Sequence, residues 1–377
     1  MRPRLKAVAW ERRGDGQLRL VRDVRDQLIV DDPDGVVSRL LELLRDGRRT
    51  PAELAGELGV PVGDVSDAVE LLDEYGLLED ADCLGRLTPA QHERHFSNLA
   101  FLESFATLAA SREDLLDRLR LAHVLVLGTG GLNSNTLPHL CGLGVGRLTL
   151  VDHDTVDARN FARQYLYAWD DLGRPKVERA AAWVRRFDPT IDVCPVSAEI
   201  DGEPAVRELI GRTAPDIVMS GVDSPAEIDR WVNAACVAQN VPYVRAGMWV
   251  TQGIVWSVAP GSSACWQCAV PGEQALLAAE APEERDSVRL HRSLPRRNRG
   301  IGPIAGLLGA LAAFEVLRYL TRFEPPAYAG RPLSIDFAAE CSMRPGVWTR
   351  DPACAVCSSD GKAATRPPVP QLIGEGR

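Results

Sequence analysis

The spacing of apolar residues changes several times along the chain. Leu18 to Val24 and Gln27 to Val30 alternate, which predicts two short half-buried strands, and Asp31-Asp32-Pro33-Asp34-Gly35 reads as a turn. Val36, Val37, Leu40, Leu41 and Leu44 then recur at helical spacing. Thr50-Pro51-Ala52-Glu53 sets a hydroxyl at the N-cap, proline at the first helical position and a glutamate at the third. The helix it predicts runs through Leu58 and stops at Gly59. A third helix carries Val65, Val69, Leu72 and Tyr75 and ends at Gly76. Strands with three short helices, the last two joined by a tight turn, predict a small winged-helix-like domain over residues 1–85. Residues 86–122 read as a helical connector. From His123 the pattern becomes buried strand, glycine turn and helix, the opening of an α/β domain over residues 123–357. The remainder, 358–377, is rich in Pro, Gly, Lys and Arg and predicts a disordered tail. Gly302 to Glu315 reads as a buried helix with small residues for close packing, and its apolar stretch, Gly302 to Phe314, is too short to span a bilayer.

Composition adds a division of charge. The chain has 377 residues and a net charge of −9. Residues 1–85 hold 19 acids against 12 bases, so most of the excess lies in the first quarter. The helix in the position of a DNA-recognition helix carries Asp64, Asp67, Glu70, Asp73 and Glu74, which would repel phosphates and argue against nucleic-acid binding. No apolar segment follows Met1-Arg2-Pro3-Arg4, so no secretory signal or membrane anchor is read, and a reducing, cytoplasmic location is expected. The nine cysteines are an odd number for a disulfide framework, and four of them form two C-x-x-C pairs.

Candidate chemistry begins at the strand His123 to Gly128. It runs into Thr129-Gly130-Gly131-Leu132-Asn133, where glycines allow a sharp turn close to a phosphate and the next helix offers free N–H groups. A second strand, Arg147 to Val151, ends at Asp152, placed to accept ribose hydroxyls. A ligand-free strand–helix turn and an NAD-binding Rossmann domain are the rival readings. Against the second, Asn133 stands where a third glycine belongs.

The order of the following segments decides. Asp152-His153-Asp154 leads to Asn160-Phe161-Ala162-Arg163-Gln164 and then Gly173-Arg174-Pro175-Lys176. This series resembles the ThiF and ubiquitin-activating-enzyme superfamily of ATP-dependent adenylyltransferases, in its ThiF/MoeB/MccB-like branch, over roughly residues 90–357. The resemblance implies a Rossmann-like adenylation domain with a mixed sheet. It implies ATP held by Gly128, Gly130, Gly131, Asp152, Asp154, Asn160, Arg163, Gln164 and Lys176, with magnesium on Asp223. Adenylation builds charge on phosphate oxygens, so Arg163 and Lys176 suit it as fixed cations, and Asp223 offers the hard oxygen magnesium takes. Three positions depart from the family pattern. Asn133 replaces its last loop glycine, and Ser224 replaces the asparagine after the metal aspartate. Glu93-Arg94-His95-Phe96 keeps one arginine of two, so Arg94 is the candidate to act in the partner's ATP site or to fill only the structural role.

Cys265-Trp266-Gln267-Cys268 and Cys354-Ala355-Val356-Cys357 can close a four-thiolate zinc site, structural because no coordination position stays open. The superfamily carries the same paired site. Pro271 to Arg299 corresponds to the family's crossover loop. It holds no cysteine, so an adenylate rather than an enzyme thioester is expected, and its six arginines suit either phosphate or peptide contact or a solvated loop.

Residues 1–82, with Leu41-Glu42-Leu43-Leu44 and Leu71-Leu72-Asp73-Glu74-Tyr75, resemble the PqqD-like peptide-recognition element of ribosomal-peptide biosynthesis. The resemblance implies a leader peptide bound as an added strand beside Leu18 to Val24 or its neighbour. The combined expectation is a homodimeric, zinc-containing enzyme that activates a carboxylate or amide of a precursor peptide with ATP and magnesium. The alternatives are a non-catalytic leader-binding partner of a cyclodehydratase, activation of a sulfur-carrier protein's C-terminus, and a winged-helix regulator with a nucleotide sensor.

Overall fold

The computed structural model describes residues 1–23, 26–270, 290 and 300–358. It divides into two compact units, Met1–Leu119 and Arg120–Arg377.

The first unit begins with β1 (Pro3–Leu5), β2 (Ala9–Arg12), β3 (Gln17–Asp23) and β4 (Asp26–Asp31). β2, β3 and β4 form an antiparallel meander, while β1 pairs with β5 (Leu78–Asp80). Because β3 pairs on both sides, Leu18 to Asp23 offers no free edge. The edges among the described residues are β2 and β4, so of the strand and its neighbours only the neighbours could take an added peptide. Val24 lies outside the described residues. Helices α1 (Val36–Leu44), α2 (Pro51–Leu58) and α3 (Val62–Glu74) follow. α2 starts on the expected capping box, with Glu53 N donating to Thr50 Oγ1 and Thr50 N to Glu53 Oε2, and ends at Gly59 in the left-handed region. Leu18 and Leu20 pack with Leu41, Leu44, Leu54, Val65, Val69 and Leu72 in one core. Tyr75, expected on the apolar face, is exposed, since α3 ends before it can turn inward.

The unit also takes in α4 (Pro89–Arg94), α5 (Phe96–Glu103) and most of α6 (Arg112–Leu121), the segment that reads as a connector in the sequence. Polar bonds hold it there. The buried carboxylate of Glu113 accepts from Gly85 N and Arg86 N, and Arg112 bridges Glu79 at 2.5 Å and Glu103 at 2.7 Å. Buried Lys6 donates to Gly76 O at 2.8 Å and to Ala106 O.

The second unit is built on an eight-stranded sheet of order β13-β12-β11-β10-β9-β6-β7-β8. β6 (His123–Leu127), β7 (Arg147–Val151), β8 (Asp192–Val196), β9 (Ile217–Ser220) and β10 (Tyr243–Trp249) run parallel. β11 (Gln252–Val258), β12 (Leu333–Asp336) and β13 (Ser342–Pro345) return antiparallel, making the mixed sheet. The chain goes outward from β6 through β7 to β8 and then crosses back to β9 on the other side of β6. That reversal opens a crevice at the carboxyl ends of β6 and β9, where α/β sheets bind ligands. α7 (Asn133–Leu143) follows β6, and α8 (Lys176–Phe187) packs on β7 and β8. α9 (Glu203–Thr213) and α10 (Ile228–Ala238) cover the face bearing Leu125, Leu127 and Val218.

α11 (Gly302–Thr321) packs on α7 and over β9, β10 and β11. It continues past Glu315, which is fully buried inside it, to Thr321. That carboxylate accepts from Ser257 Oγ, Tyr328 N, Ala327 N and Arg318. At 20 residues α11 is long and apolar enough to cross a membrane by length and composition alone, and about half of its apolar window is buried against the sheet. The expected crossover loop, Pro271 to Arg299, lies outside the described residues except for Leu290, and the expected disordered tail lies outside them beyond Ser358.

Candidate functional site

The crevice is built from backbone geometry first. β6 is apolar on both faces, so it is a buried central strand and delivers its last carbonyls to the crevice. Gly128 turns there with φ 78°, and a Cβ at that position would lie 3.0 Å from the Val222 side chain after β9. Asp152 at the end of β7 then fixes the turn. Its Oδ2 accepts from Thr129 N at 2.6 Å and Thr129 Oγ1 at 2.8 Å, and its Oδ1 accepts from Asp154 N. Tyr167 donates to Thr129 O at 2.7 Å, and burial pushes its hydroxyl pKa well up, so it stays a donor. Three of the roughly four lone-pair directions of the Asp152 carboxylate are thus engaged by protein, which leaves about one for a ligand. The sequence read Asp152 as a ribose ligand. The geometry adds that it holds the glycine turn in place.

Lys176 opens α8 and is nearly buried. Its Nζ donates to Asp154 Oδ2 at 2.7 Å, and its own N–H donates to Asp154 O. The ammonium is held near the turn by a carboxylate that is itself half exposed. Arg163 lies across the glycine turn: a Cβ on Gly131 would come within 2.8 Å of its Nε, so a larger residue there would push the Arg163 side chain aside. Burial lowers the Arg163 pKa, opposed by the negative charge of Asp223, which places those two groups in electrostatic reach of each other. Asp223 itself is exposed on the loop after β9. Asn160 uses Oδ1 to accept from Asp157 N, a capping turn that orients the Arg163 segment. Gln164 is buried with Oε1 unpartnered among the described residues, while its Nε2 is 3.9 Å from where a Gly130 Cβ would sit. An unpaired buried acceptor beside the glycine turn fits a nucleotide's polar groups.

The structure therefore brings Gly128, Gly130, Gly131, Asp152, Asp154, Asn160, Arg163, Gln164, Lys176 and Asp223 to one region of the second unit. Arg94 is placed elsewhere, at the end of α4 in the first unit. Sequence reasoning missed Asn135, whose Nδ2 donates to Gly131 O at 2.7 Å and Arg163 O at 2.8 Å. It also missed Thr129 and Tyr167. The signal for Thr129 and Asn135 was the small and polar residues of the glycine turn and the first turn of α7; nothing local marks Tyr167.

A second site lies where β11 ends. Cys265 Sγ is 3.8 Å from Cys268 Sγ and 3.7 Å from Cys354 Sγ, and Cys268 Sγ is 3.4 Å from Cys357 Sγ. These separations are far too long for disulfides. Zinc–sulfur bonds of about 2.3 Å in a tetrahedron put the sulfurs about 3.8 Å apart, so the four buried thiols fit zinc. Asn233 supports them, donating to Cys265 Sγ at 3.6 Å while its Oδ1 accepts from Tyr243 and Trp266 N.

A glycine turn at a switch point, with cations, a carboxylate loop and a four-cysteine cluster, defines a nucleotide-binding domain suited to adenylyl transfer. The ThiF family profile matches residues 103–356, and the chain belongs to that family. It is 31% identical to molybdopterin-synthase adenylyltransferase of Salmonella typhimurium over 64% of this chain and 89% of that protein. It is 31% identical to the sulfur carrier protein ThiS adenylyltransferase of Escherichia coli over 58% of this chain and 82% of that one. In fold it is similar to E. coli MccB solved with ATP, with a TM-score of 0.71, 21% identity, and coverage of 95% of this chain and 100% of that one. The protein is an ATP-dependent adenylyltransferase.

Proposed function

We propose that this enzyme adenylates a carboxylate or amide of a ribosomally made precursor peptide, held by the first unit, in the biosynthesis of a peptide natural product. The observation that carries the reading is the full-length likeness to MccB. The family profile begins at residue 103, whereas the likeness to MccB, a protein also solved with its peptide MccA, covers 95% of this chain. The first unit supplies what a peptide module needs: a three-stranded sheet with two free edges, β2 and β4, beside the helices α1 to α3. We assign it the PqqD-like, winged-helix-like role, and the exposed acids of α3 favour a leader with basic residues.

In the reaction a carboxylate (or amide) oxygen attacks the α-phosphorus of ATP. The bond from that phosphorus to the bridging oxygen breaks, and pyrophosphate leaves. Arg163 and Lys176 stabilise charge on the phosphate oxygens, with Lys176 transferring from Asp154 to the nucleotide. Asp152 takes a ribose hydroxyl on its remaining lone pair, and Asn160 and Gln164 orient the nucleotide. Asp223 would hold magnesium, which neutralises phosphate charge when bound. The four cysteines would hold a structural zinc. The reading includes a homodimer in the cytoplasm, with Arg94 reaching the partner's ATP site.

A second reading, activation of a sulfur-carrier C-terminus, is favoured by the higher identity to the ThiS adenylyltransferase than to MccB. ATP–pyrophosphate exchange separates the two. Exchange should depend on a precursor peptide and be absent with sulfur-carrier proteins. It should fall by at least about a hundredfold in Lys176→Ala and Asp223→Ala. Exchange driven by a sulfur carrier alone would sink the peptide reading. Tight peptide binding without any exchange would point instead to a scaffold for another enzyme.

A further inference from the structure

Asn133 opens α7 and is fully buried. Its side-chain amide spends both hydrogens on the crevice, donating to Leu127 O at 3.0 Å and Gly128 O at 2.8 Å. The same Leu127 carbonyl accepts from Gly221 N at 2.9 Å, so one oxygen at the end of β6 is shared by α7 and by the residue after β9. The carboxamide also lies flat against Gly221. A Cβ on that glycine would come within 2.6 Å of Asn133 Nδ2 and 2.7 Å of its Cγ. Asp223 follows two residues later. The Oδ1 of Asn133 stays buried and unpartnered among the described residues. Rotating the amide would bring Oδ1 against the two carbonyls, so the orientation is fixed by repulsion as well as by bonding. A side chain needed only to fill space would not carry that unpaired acceptor into the interior.

We propose that Asn133 is a positioning residue of the adenylylation site. Its carboxamide clips the glycine turn of β6 to the start of the Asp223 loop, and Gly221 is glycine because the clip lies where a Cβ would be. The clip sets the distance between the turn that receives the phosphates and the carboxylate assigned to magnesium. That last link rests on the assignment of Asp223 above; the clip itself does not.

Reciprocal substitution tests it. Gly221→Ala should lower the melting temperature, because its methyl collides with the carboxamide. Adding Asn133→Ala should restore the melting temperature by removing the obstruction. In Asn133→Ala and in the double variant, exchange should stay depressed on the order of tenfold or more, as misplacement of about 1 Å can cost. The magnesium concentration for half-maximal exchange should rise in both. ATP binding measured by calorimetry without magnesium should weaken in both as well, which reports on the turn independently of Asp223. Failure of Asn133→Ala to relieve Gly221→Ala would overturn the paired contact. Wild-type exchange and magnesium-free binding in a folded Asn133→Ala would overturn the positioning role. A change in magnesium-free binding with no shift in magnesium requirement would keep the clip and refute its link to Asp223.

Discussion

Lys6 shows how one residue can couple stability to pH. It is nearly buried, and burial lowers its pKa from its ordinary value to about 8 although it donates to two carbonyls. The charged form is therefore disfavoured in the fold relative to the unfolded chain. Between about 8 and 10.5 the unfolded chain binds more protons than the native one, so stability rises with pH across that window. Denaturant unfolding of wild type and Lys6→Met should diverge between pH 7.5 and 9.5, wild type gaining about 1–2 kcal/mol relative to the variant. A pH-independent difference would show that the native ammonium is not destabilised. At this scale the sequence singled out residues that the fold brings together, the turn glycines, Arg163, Lys176 and Asp152. It was silent where the partner is remote, as with Tyr167 reaching Thr129 across 38 positions.

Elements were legible to the degree that they are locally specified. The α2 boundary was readable because cap, proline and glutamate act within one turn, and the structure forms both capping-box bonds. Thr50→Ala should cost about 1 kcal/mol of stability in urea unfolding, with Thr50→Asp largely neutral. Equal losses in both would show that the side-chain oxygen is not the cause. β1 and β5 escaped notice for the opposite reason. Each has only three residues, and their pairing is set by contacts some seventy positions apart. α11 was legible as far as Glu315, and its last turns to Thr321 were not. The bonding of Glu315 was hidden as well, because Ser257 Oγ and the backbone donors of Ala327 and Tyr328 are brought to it by the fold.

At the scale of the whole molecule, the charge division found in the sequence follows a structural one, but the border lies near residue 119 rather than 85. The apparent connector had no periodicity strong enough to assign its helices to a core. Ion pairs of Arg112 and the buried Glu113 do that instead. The mixed sheet was expected from the family resemblance, while its strand order, with three antiparallel strands at one edge, was not. Metal analysis should find about one zinc per chain bound by the four cysteines. Stripping it with a strong chelator, or Cys354→Ser, should lower the melting temperature by several degrees or more. A metal-free protein melting at the same temperature would refute the site.

The cysteine cluster has a covalent corollary. With zinc bound, Cys268 and Cys354 become the two ends of a closed loop that includes α11, β12 and β13. A single peptide-bond cut anywhere along that loop would then open a ring rather than divide a molecule. The nicked enzyme should keep its mass in native electrophoresis while showing two bands under denaturing conditions.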